Sequence, residues 1–93
     1  MKEEFDKMTF EEKVSFLVEN LKALPEDIAE EGIDILAQAG ETEYAVVLAR
    51  DKGKIDKAIR VLLEAGDYLW AALIAKNAGH LTRSQDLYRE GLQ

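Results

Sequence analysis

Residues 65–79 read Ala65-Gly66-Asp67-Tyr68-Leu69-Trp70-Ala71-Ala72-Leu73-Ile74-Ala75-Lys76-Asn77-Ala78-Gly79, an apolar stretch framed by two Ala-Gly pairs. Glycine closes helices because a left-handed residue after the last turn carries no Cβ penalty. The frame therefore predicts one helix of about three turns, roughly 18 Å long. Outward from this segment the same spacing recurs. Gly40, Gly53, Gly66, Gly79 and Gly91 are separated by 13, 13, 13 and 12 residues, and Gly40 is again preceded by Ala39. Five residues after the first four of these glycines stands a small residue (Ala45, Ala58, Ala71, Ser84). Eight residues after them stands an aliphatic one (Leu48, Val61, Ile74, Leu87). A small residue in mid-helix lets a neighbouring helix come close, and such short connections force consecutive helices to run antiparallel.

Helix-start signals agree with these stops. Thr9-Phe10-Glu11-Glu12 is a capping box, with Thr9 as N-cap and Glu12 three residues on. Pro25 suits the first turn of the next helix and is followed by Glu26 and Asp27, which complement the helix dipole. Asp67 and Thr82 have the chemistry of N-caps. The pattern predicts an all-α fold: six helices over about 10–22, 26–38, 42–52, 55–65, 68–78 and 82–90. No stretch alternates with the period of a strand. The helices pair into three hairpins (10–38, 42–65, 68–90) stacked right-handedly in a single domain spanning 1–93. Residues 1–8 form an arm that Phe5 and Met8 pin to the body. One hairpin cannot bury its apolar face alone, whereas stacked hairpins share a core.

The run Ala-Gly-Asp-Tyr-x-x-Ala-Ala at 65–72, with Asn77-Ala78-Gly79 and Leu87-Tyr88, resembles α-helical repeat proteins. The nearest families are the tetratricopeptide-like solenoids and the short helical repeats of clathrin and coatomer subunits. The likeness covers about residues 39–91. The period here is near 26 rather than the roughly 34 of the tetratricopeptide repeat, and that family's Trp…Leu-Gly…Tyr signature is absent. Its peptide-binding residues therefore have no counterparts here. The resemblance implies an α-α superhelix that binds protein or peptide and catalyses nothing.

Composition narrows the function classes. The chain has no cysteine, which excludes disulfides, thiol nucleophiles and cysteine-held zinc or iron–sulfur clusters. His80 is the lone histidine, and Ser15 and Ser84 fall within helices, so no catalytic triad or zinc set is in view. The glycines lie too far apart to cradle a phosphate. No catalytic residue, cofactor or metal is expected. A net charge of −7 opposes nucleic-acid binding, and no helix has the basic face that DNA reading needs. The charged N-terminus is no signal peptide, and no apolar run approaches the roughly 20 residues of a membrane span. A soluble cytoplasmic protein is expected.

The charge is unevenly spread, −9 over residues 1–43 and +2 over 44–93. Asp27, Glu30, Glu31 and Asp34 share one helix face, which reads as solvated or as a dock for a basic peptide. Arg50, Lys52, Lys54, Lys57 and Arg60 form the opposing basic cluster, read as solvated helix ends or a partner contact.

Two features point to a partner-binding surface. Phe16 lies off the apolar stripe Phe10, Val14, Leu17, Val18, Leu21. It packs on the next helix or the arm, or it meets a partner. Helix 68–78 is apolar nearly all round, with Leu69, Trp70 and Leu73 opposite the face that includes Ala71 and Ile74. Either the final helix (Leu81, Leu87, Tyr88, Leu92) covers that second face or another molecule does. The expected partner-binding residues are Phe16, Leu69, Trp70 and Leu73. The partner is a protein or peptide, with a second copy of the chain as the alternative.

Overall fold

The computed structural model describes residues 1–92, and among them the fold is all-α. A short helix α1 (Lys2–Asp6) precedes α2 (Phe10–Glu19), a 3₁₀ turn (Leu21–Ala23), α3 (Glu26–Gln38), α4 (Thr42–Asp51), α5 (Ile55–Glu64), α6 (Tyr68–Asn77) and α7 (Leu81–Gly91).

The thirteen-residue spacing becomes one turn used four times. Gly40, Gly53, Gly66 and Gly79 adopt φ between 72° and 85°. At each, the amide of the following residue donates to the carbonyl five positions back: Glu41 to Leu36, Lys54 to Ala49, Asp67 to Leu62 and His80 to Ala75, at 2.7–2.9 Å. This is the Schellman closure, which satisfies the orphan carbonyls of the finished helix. The same four residues then serve as N-caps of the next helix. Asp67 alone among them adds a side-chain cap, accepting from the Trp70 amide at 3.1 Å. Thr82 is not a cap: His80 holds that position and Thr82 lies inside α7.

Named contacts fix the layout. Lys54 at the start of α5 pairs with Glu26 and Glu30 at the start of α3, and Arg83 of α7 pairs with Asp56 of α5. Hence α3, α5 and α7 run parallel in one layer. Val47, Arg50 and Asp51 of α4 line a cleft with Ile74 and Asn77 of α6 and with Ala78 just after it, and Lys22 after α2 reaches Asp51. Hence α2, α4 and α6 form the second layer, antiparallel to the first. The stack measures 43 × 23 × 15 Å.

Alanines sit where helices meet. Ala29, Ala45, Ala49, Ala58, Ala71 and Ala75 are fully buried beside Ile28, Ile33, Leu36, Leu48, Ile59 and Leu62. Among the described residues no polar or charged side chain is buried, so each layer contact removes apolar surface from water without a desolvation penalty.

Seven α-helices stand among the described residues where six are expected, because residues 2–6 of the arm form a helix; most helix ends shift by one residue, and two differ for a specific reason. Helix α2 stops at Glu19 rather than near 22, because Asn20 turns its side-chain amide back onto the Phe16 carbonyl at 2.9 Å. The chain then needs extended backbone at Leu24 to enter Pro25. Gly91 does not stop its helix. It lies in the last turn of α7, where an added Cβ would sit 2.7 Å from Leu69 Cδ2 and 3.2 Å from Tyr68 Cβ, so its role is close approach to α6.

Candidate functional site

Glycine and serine on one side of α7 let it lie tightly on α6. The Ser84 hydroxyl donates to the Ala72 carbonyl at 2.8 Å, Leu87 is buried, and Gly91 abuts Leu69 and Tyr68. Positions 84, 87 and 91 thus face inward, and helical geometry turns 81, 85, 88 and 92 outward. Leu81, Tyr88 and Leu92 are 60%, 54% and 64% exposed. On α6 the neighbouring stripe carries Leu69 and Leu73, 47% and 54% exposed, and ends in Lys76. A cleft of about 440 Å³ runs along α7 beside Lys76, lined by Leu81, Ser84, Gln85, Tyr88 and Arg89. The result is a continuous apolar face with cations at its rim, at the C-terminal end of the stack. A monomer rarely leaves such a patch without a use for it.

The expected binding residues separate. Leu69 and Leu73 lie on this face. Trp70 is half-buried against the core, one turn before Ile74 on the flank of α6 that borders the cleft shared with α4. Phe16 lies at the other end of the stack, half-buried, with its ring centroid 5.8 Å from that of Phe5. There it helps enclose Phe5, which is fully buried and also has the ammonium groups of Lys13 and Lys2 at 5.3 and 5.6 Å from its ring centre. Phe5 therefore anchors the arm as expected.

The final helix is one of the two covers that the sequence leaves open for Leu69 and Leu73, the other being a second molecule. It supplies that cover only partly and adds Leu81, Tyr88 and Leu92 to the exposed face. These three residues recur at i, i+7 and i+11, a helical stripe that the sequence already contains.

The charged clusters largely satisfy each other. Lys57 reaches Asp34 at 3.3 Å, Lys54 reaches Glu26 and Glu30 at 3.6 and 3.9 Å, and Lys52 donates to the Leu24 carbonyl at 2.8 Å. Lys2 bridges Asp6 and Glu31, and these two carboxylates hold its ammonium above the usual lysine range. Of the acidic face of α3, Glu30, Glu31 and Asp34 are thus engaged from within the chain. Arg50 stays unpaired among the described residues and lines the α4–α6 cleft of about 490 Å³ with Val47 and Ile74.

Comparison with protein-family models, with curated proteins and with solved structures finds no match. No helix among the described residues is long and apolar enough to cross a membrane.

Proposed function

We propose that the protein is a non-catalytic interaction module of helical-repeat type, acting in the cytoplasm, that binds a protein or peptide through the C-terminal end of its stack. The observation that carries this reading is the exposed stripe of Leu69, Leu73, Leu81, Tyr88 and Leu92. Terminal repeats normally present a polar outer face, and the opposite end supports the contrast, because α1 folds over it and buries Phe5. The α4–α6 cleft, lined by Arg50, is the secondary surface of the same module.

The test is affinity capture from the source cell with the unmodified chain and the Leu73→Glu chain side by side. A protein retained by the first and lost from the second supports the reading. Equal retention by both moves the binding surface elsewhere. A second reading, self-association through the same hairpin, is favoured by the apolar character of the face.

A further inference from the structure

A shift of 26 residues superimposes one hairpin on the next and shows what the exposed face is shaped to receive. Leu81, Gln85 and Tyr88 of α7 fall in register with Ile55, Ile59 and Leu62 of α5, and with Ala29, Ile33 and Leu36 of α3. Ala29, Ile33, Leu36, Ile59 and Leu62 are fully buried within the stack, while Leu81 and Tyr88 are more than half exposed. On α6, Leu73 is in register with Val47 of α4, which is half-buried at the cleft where α6 lies beside it. Leu73, Leu81 and Tyr88 therefore continue the register of the two stacking surfaces beneath them, while Leu69 and Leu92 extend the face from positions that the exposed Glu43 and Gly66 hold there, and the natural occupant of the face is a helical hairpin.

We propose that this occupant is the α6–α7 hairpin of a second copy of the chain, giving a closed two-fold dimer of C-terminal ends. The inference rests on the reading of this face as the interaction surface. Its five apolar residues expose on the order of 600 Å², the upper range for the largest patch of a monomer. With the polar Gln85 between Leu81 and Tyr88 and with Lys76 and Arg89 at the rim, the face approaches the roughly 800 Å² per partner of a standard interface. An apolar centre is complementary to itself, as a two-fold contact requires. The acidic end of the stack is the competing partner within the same chain. A contact between that end and the cationic rim would be heterologous, and heterologous contacts grow into rings or open chains rather than stop at two.

Sedimentation equilibrium of the full chain separates these cases, with Leu73→Glu, Tyr88→Glu and, as a control at the other end, Phe10→Glu. All three substituted positions are exposed, and circular dichroism checks that each variant is helical. The expected result is a dimer with a dissociation constant of about 10 µM or tighter, holding between low and high salt. Leu73→Glu and Tyr88→Glu weaken it about tenfold or more, while Phe10→Glu leaves it unchanged. A chain that stays monomeric at about ten times that concentration overturns the dimer but leaves the capture experiment with Leu73→Glu to judge the interaction face itself. Masses that grow beyond two copies and fall with added salt overturn the two-fold arrangement in favour of the charge-driven one.

Discussion

A methyl group added at Gly32 would lie 2.6 Å from Cδ2 of Leu17, which is itself fully buried. Leu17 cannot swing into solvent and must shift against the packed core, so Gly32→Ala is expected to destabilise by about 1–3 kcal/mol as an overpacked core, in spite of the helix propensity gained. Gly91→Ala meets Leu69 Cδ2 at 2.7 Å and Tyr68 Cβ at 3.2 Å; Leu69 is half exposed and can swing outward, and the milder Tyr68 contact asks only a shift of a few tenths of an ångström at the end of α7. Its expected cost is below about 1 kcal/mol. Urea denaturation of the two variants checks the contrast, and equal losses would contradict it. In the sequence Gly91 looks like the four stops at Gly40, Gly53, Gly66 and Gly79, because a stop and a close approach use the same residue type. Only the neighbour across the helix tells them apart. Lys2 gives a sign for pH. Its folded-state pKa is raised, so its contribution to holding α1 is complete below the unfolded value near 10.4. That contribution is lost as pH climbs through the folded value.

Among the helices, α6 and α2 have side-chain caps and the others do not. Asp67 accepts from the Trp70 amide, and Thr9 and Glu12 close a capping box at 3.2 and 2.8 Å. Replacing Asp67 or Thr9 with alanine is expected to cost about 1 kcal/mol each. Glu41→Ala, at a cap position with no side-chain bond, is expected to cost a few tenths. Thermal melts of the three variants test this ordering. At the arm, Phe5→Ala removes a fully buried ring and is expected to cost about 3–5 kcal/mol. Amide exchange should quicken first in α1 and α2 and last in α5, and uniform quickening would contradict a locally docked arm. Most helix positions were legible because glycine spacing, Pro25 and the capping box each carry a local rule. The early end of α2 was not. It depends on Asn20 folding back on the Phe16 carbonyl, one of several conformations that an asparagine side chain can take.

For the whole molecule, the pairing of charges across the stack explains how an acidic N-terminal half coexists with a slightly basic C-terminal one. Lys54 and Lys57 reach across to Glu26, Glu30 and Asp34, which are adjacent in the layer but more than twenty residues away in sequence. Sequence reading found both clusters and could not see that they meet, because a one-dimensional charge tally is blind to layer order. These partly exposed pairs are worth little singly, so they fix register more than stability. The interaction face was legible in part. Leu69 and Leu73 follow from the all-round apolar character of α6, whereas the sequence leaves open whether Leu81, Tyr88 and Leu92 cover that face or extend it. The inward choice of Ser84, Leu87 and Gly91 decides that, and it follows from how closely α7 lies on α6. Methyl NMR of the leucines over a concentration series tests the central claim most directly. The account predicts that Leu69, Leu73, Leu81 and Leu92 shift together as concentration rises while Leu17, Leu48 and Leu62 stay still. Shifts confined to the α1–α2 end, or no shifts up to about 1 mM where a micromolar contact would be nearly saturated, would contradict it.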